Sequence, residues 1–122
     1  MAKKVLIVDD DIGVTYTVKN GLGNDYDVTA VNSGKQCFEF LENDQIPNLI
    51  LLDIMMPDMS GWEVHKRIRE NPSWKNIPII FLTARTDQVA KNAGGFLAED
   101  YIEKPFKIPE LKNRIEKILN RI

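Results

Sequence analysis

Three short apolar runs in this chain each stop at a polar residue, and that grammar restricts the fold more than any other feature. Val5 to Val8 ends at Asp9, Leu49 to Leu52 ends at Asp53, and Ile79 to Leu82 ends at Thr83. Continuous apolar runs of this length suit strands covered on both faces, as in parallel sheets, because a one-sided sheet would alternate apolar with polar residues. Tyr26 to Val31 alternates more and reads as a further strand, and Tyr101-Ile102 reads as a short last one.

The intervening segments carry helical punctuation. Ile12 to Leu22 is one candidate, Ser33 to Asn43 a second with Ser33 as N-cap, and Gly61 to Asn71 a third, stopped by Pro72. In the final segment Ile108, Leu111, Ile115, Ile118, Leu119 and Ile122 recur at spacings of three and four, while Lys112, Arg114, Lys117 and Arg121 take the other face. This helix is expected to cover one sheet edge, with its basic face solvated. Alternating strands and helices imply right-handed crossovers and a doubly wound α/β architecture with helices on both faces of a parallel sheet. In such sheets ligands sit at the carboxyl ends of the strands, where Asp9, Asp10, Asp11, Asp53, Thr83 and Lys104 are expected to meet.

A chain of 122 residues suits one domain, and nothing in it resembles a linker, a repeat or a low-complexity tract; residues 1–122 are read as one unit without an output module. Sixteen Lys+Arg against eighteen Asp+Glu give a net charge of -2, which argues against direct binding to nucleic acid or to an anionic membrane. Cys37 is the sole cysteine, so no internal disulfide forms, and no apolar run is long enough to span a bilayer. A cytoplasmic protein is the simplest expectation.

Carboxylates converging on one crevice repel each other and raise at least one pKa unless a cation joins them. Oxygen ligands without Cys or His select Mg2+, with Mn2+ and Ca2+ as rivals, over zinc. A carboxylate can also act as a nucleophile toward phosphorus, with positioning and charge neutralisation supplying most of the rate. Asp53 is the best-placed nucleophile, Lys104 a point charge for phosphoryl oxygens, and Thr83 a hydroxyl donor to another of them.

Taken together, Asp9-Asp10, Asp53 followed by Ile-Met-Met-Pro-Asp-Met-Ser-Gly61, Thr83-Ala84 and Lys104-Pro105-Phe106 resemble the response-regulator receiver domain over almost the whole chain. The resemblance implies a flavodoxin-like fold with a five-stranded parallel sheet in the order 2-1-3-4-5. It implies Asp53 as phosphoacceptor, with Mg2+ (or Mn2+ as substitute) held by Asp10, Asp53 and the Met55 backbone carbonyl, and by Asp9 through water. Thr83, Lys104 and the Ala84 backbone would contact the phosphoryl group, and Thr83 and Tyr101 would switch. The family's Lys-Pro bond is commonly cis, which implies a cis Lys104-Pro105 bond. Met55 and Arg85 would influence water access to the acyl phosphate. The implied partners are a sensor histidine kinase or histidine phosphotransfer domain, and downstream either another protein, a fused output domain or a second copy of the chain, met through the face of the fourth helix, fifth strand and fifth helix. The implied role is a signalling switch and not a metabolic enzyme.

Plainer readings stand beside these. Asp11 reads also as a helix cap alone, Tyr101 as a half-buried strand aromatic with its hydroxyl in water, and Cys37 as a small apolar filler. Trp62 and Trp74 read as partly buried packing residues, and His65, among charged neighbours, as solvated. Two rivals remain. A haloacid-dehalogenase-type phosphatase would use Asp9 as nucleophile, but Gly13 stands where its motif wants Thr or Val; a pseudo-receiver would act only as an interaction module. Gly94-Gly95 costs about 2 kcal/mol of helix propensity together, so a short or mobile fourth helix is expected across Thr86 to Phe96.

Overall fold

The computed structural model describes residues 2–84 and 99–120. In chain order the elements are β1 (Lys3–Val8), α1 (Ile12–Leu22), β2 (Tyr26–Val31), α2 (Gly34–Glu42), β3 (Leu49–Asp53), α3 (Gly61–Glu70), β4 (Ile79–Thr83), β5 (Asp100–Glu103) and α4 (Ile108–Leu119). The strands form one parallel sheet in the order β2-β1-β3-β4-β5, as expected. α4 is the last of the helices read from the sequence. The expected fourth helix, with Arg85 and Gly94-Gly95, lies outside the described residues.

The apolar runs are continuous because consecutive side chains enter different cores. Val5, Ile7, Leu49, Leu51, Ile80 and Leu82 pack on one face with Val18 and Leu22 of α1 and Leu111, Ile115, Ile118 and Leu119 of α4. Leu6, Val8, Ile50, Leu52, Ile79 and Phe81 pack on the other with Cys37 and Leu41 of α2 and Val64 and Ile68 of α3. Each fully buried Leu or Ile contributes about 1.5–3 kcal/mol, so truncating one residue of β3 weakens one layer and leaves the other intact. α4 is not confined to the sheet edge: it lies beside α1, and a Cβ at Gly21 would stand 2.7 Å from Ile108.

The helix starts follow their caps. Asp11 accepts from the amides of Gly13 and Val14, Ser33 from Gln36, and Ser60 from Glu63. α3 corrects one expectation, because His65 is buried and not solvated. Positions 61, 64, 65 and 68 share the inward face at helical spacing, and the His65 ring packs against Phe81 with centroids 5.4 Å apart. Phe81 also meets Trp62 at 4.8 Å and Tyr101 at 5.6 Å, so one aromatic side chain joins α3, β4 and β5. Cys37 is fully buried, and burial pushes its thiol up to about 12.

Candidate functional site

The carboxyl ends of β1, β3, β4 and β5 converge. Asp9 follows β1 and is 0% exposed; Asp53 closes β3 at 5%. Two buried carboxylates are costly without a counter-charge. Lys104, just past β5, supplies it: its Nζ donates to Asp9 Oδ2 at 2.7 Å and to Asp53 Oδ1 at 3.2 Å. Asp10 is exposed on the crevice side, and carboxylate oxygens of Asp9, Asp10 and Asp53 lie within 4.8 Å of one another.

Burial raises the Asp53 carboxyl first and the Asp9 charge raises it further, against the opposing pull of Lys104; the net effect is a pKa pushed up to about 7. Burial works against the Lys104 ammonium, but its hydrogen bond to Asp9 and the charges of Asp53 and Asp9 outweigh that and raise its pKa. The excess negative charge and the all-oxygen donor set fit a hard divalent cation such as Mg2+.

Backbone contacts fix the rim. The Ile54 amide donates to Leu82 O at 3.3 Å, and the Gly61 amide returns to Ile54 O at 2.8 Å, closing the loop after Asp53. Asp58 within it takes a positive φ of 67°. Gly61 is required by contact: a Cβ there would run into the Asp53 carbonyl oxygen and stand 2.8 Å from Ile54 Cα. Met56 turns inward, whereas Met55 is 78% exposed beside the crevice, and any ligand role for Met55 falls to its carbonyl.

Thr83 is buried at the end of β4, one position beyond Leu82, the register partner of Asp53; Ala84 follows it at the surface. The Lys104 amide donates to Thr83 O at 2.7 Å, holding the ends of β4 and β5 together, and the Lys104-Pro105 bond is cis. Tyr101 lies one strand away, its ring stacked on Phe81 and its hydroxyl buried without a hydrogen-bond partner among the described residues. That differs from the plainer reading of a hydroxyl in water. Asp11 caps α1 and points its carboxylate at helix amides, outside the acidic trio.

Several features here escaped sequence reasoning. The sequence pairs Lys104 with phosphoryl oxygens only, yet it stands closer to Asp9 than to Asp53. Asn32, in the β2–α2 connection, donates from Nδ2 to the Asp9 carbonyl at 3.0 Å, and Gln36 Oε1 accepts from the Asn32 amide at 2.7 Å. The Ser33-x-x-Gln36 spacing, a capping-box pattern, was the one available signal for the second of these.

Residues 5–116 match the family of the response regulator receiver domain. A Vibrio cholerae protein named "Probable cyclic di-GMP phosphodiesterase" is 43% identical over 91% of this chain and 25% of its own length. The transcriptional regulatory protein CrdR of Helicobacter pylori is 38% identical over 98% of this chain and 56% of its own. The chain thus spans about half or less of these curated relatives. Among solved structures, the chemotaxis response regulator CheY4 of Vibrio cholerae superposes with a TM-score of 0.87 at 28% identity, covering 97% of this chain and 99% of that one. No helix among the described residues is long and apolar enough to cross a membrane.

Proposed function

This chain belongs to the response regulator receiver domain family of two-component signalling, and on that premise we propose that Asp53 accepts a phosphoryl group from a phosphohistidine of a sensor histidine kinase or histidine phosphotransfer domain. The observation that carries this reading is the Lys104 ammonium spanning Asp9 and Asp53. It neutralises part of a buried acidic pair and stands where phosphoryl oxygens on Asp53 would need a cation.

In the transfer an Asp53 carboxylate oxygen attacks phosphorus, the P–N bond to the donor histidine breaks, and the imidazole leaves with the bonding pair and takes a proton. Asp10, Asp53 and the Met55 carbonyl would hold Mg2+, with Asp9 acting through water; when bound, the cation neutralises charge developing on the phosphoryl oxygens. Lys104 and Thr83 then reach the remaining oxygens, with the Ala84 amide beside them. Hydrolysis of the acyl phosphate returns Asp53 to its carboxylate. Asp9 itself, fully enclosed and ion-paired, is badly placed as a nucleophile, which weighs against the phosphatase reading.

The signal is a shift between two arrangements of Thr83 and Tyr101, and a coupling of about 1–3 kcal/mol is enough to redirect a partner surface. We read the chain as a cytoplasmic receiver acting as a switch on a downstream protein, a fused domain or a second copy. The test is intact-mass analysis after treatment with acetyl phosphate and Mg2+. Wild type should gain one phosphoryl group and Asp53→Asn none; no gain in wild type, or equal gain in both, would overturn the reading.

A further inference from the structure

Asp9 has all of its backbone and side-chain oxygens engaged. Its amide donates to Val31 O at 3.1 Å, its Oδ1 accepts from the Asp11 amide at 2.9 Å, its Oδ2 accepts from Lys104, and its carbonyl accepts from Asn32 Nδ2 at 3.0 Å. The last contact matters most for the neighbouring residue. The Asp9 carbonyl belongs to the peptide plane shared with Asp10, so a bond to that oxygen restrains the plane from which the exposed Asp10 carboxylate extends. Asn32 is itself restrained, because its amide donates to Gln36 Oε1 at 2.7 Å while Ser33 caps the same first turn of α2. Groups that orient a ligand without touching the metal often carry a large share of its affinity, on the order of 10–100-fold.

We propose that Asn32 is a positioning residue for the cation site, holding the Asp9-Asp10 peptide so that the Asp10 carboxylate turns toward Asp53. The inference rests on the receiver reading for its physiological meaning, but its test does not need phosphorylation. Mn2+ binding, followed by the loss of the free-ion electron paramagnetic resonance signal, is compared among wild type, Asn32→Leu and Asn32→Ser. Leu keeps the bulk and removes the donor, whereas Ser retains a shorter donor. The Mn2+ dissociation constant should rise about tenfold in Asn32→Leu and less in Asn32→Ser, with metal-free melting temperatures close to wild type. In parallel, the Mg2+ concentration for half-maximal uptake from acetyl phosphate should rise by a similar factor at an unchanged plateau.

An unchanged Mn2+ affinity would overturn the proposal, as would no Mn2+ binding by wild type. A lower uptake plateau at an unchanged Mg2+ requirement would also overturn it. So would melting temperatures that fall in step with affinity in both variants, since Asn32 would then be a general brace. Mn2+ binding that weakens as expected in a protein that never takes up phosphoryl would sustain the inference and sink the receiver reading.

Discussion

Lys104 lies 95 positions from Asp9 in sequence, yet its ammonium donates to the Asp9 carboxylate at 2.7 Å, shorter than its 3.2 Å contact with Asp53. The lysine is thus committed to the resting acidic pair before any phosphoryl group arrives. On the proposed function, a phosphoryl group on Asp53 would draw it from Asp9 toward the new oxygens, and a bound cation would take over the charge it leaves.

Replacing Lys104 by Met keeps most of the stem and removes the counter-charge. Breaking a buried pair by deleting one partner costs about 3–5 kcal/mol, discounted here to about 2 kcal/mol because the Lys104 side chain is partly exposed. Urea denaturation of metal-free protein at pH 8 should show that loss, and added Mg2+ should recover part of it. A variant as stable as wild type at pH 8 would mean that water already solvates the pair.

Asp53 gives a pH dependence of definite sign. Its carboxyl is raised from 3.8 to about 7 in the folded chain, so the folded state holds the proton more tightly. The associated stability is present below the unfolded pKa and is lost as pH rises toward 7. Asp53→Asn removes that loss, so without metal the variant should gain on wild type across this window and exceed it in stability at pH 8. Mg2+ should narrow the gap. A difference independent of pH between 4 and 8 would contradict this.

Gly61→Ala places a methyl against the Asp53 carbonyl and Ile54 Cα, backbone atoms that cannot move aside cheaply. A loss of about 2–3 kcal/mol is expected, with slower phosphoryl uptake. Gly34→Ala is the control, because its nearest neighbours are the Met59 Sδ and Val64 Cγ2 side-chain atoms; about 1 kcal/mol and unaltered uptake are expected.

Tyr101→Phe should leave the unphosphorylated protein as stable as before, or stabilise it by up to about 1 kcal/mol, since the buried hydroxyl has no partner among the described residues. Thermal unfolding measures this directly. A destabilisation above about 1 kcal/mol would reveal a hydrogen bond to that hydroxyl.

The strand ends were legible because β1, β3 and β4 are buried on both faces, which forces unbroken apolar runs and makes the polar residue after each run conspicuous. The meeting of Asp9, Asp10 and Asp53 follows from the strand-end rule for doubly wound sheets, whereas the sheet order follows only from the receiver resemblance. His65 was misread because α3 surrounds it with Glu63, Lys66 and Arg67, and only the inward spacing with Val64 and Ile68 reveals its side. Asn32 left no trace because its bond to the Asp9 carbonyl joins positions 23 apart and depends on how a connection turns, which no local pattern encodes.

Cys37 sits with no exposed surface on the buried face of α2, its thiol held in the neutral form far above neutral pH. Since the thiolate is the reactive species, the native molecule is silent toward maleimides and disulfide reagents. A spin label or fluorophore attached to a cysteine introduced on the surface would therefore report from one place only, and Cys37 would answer only when the fold opens, serving as an internal clock for unfolding.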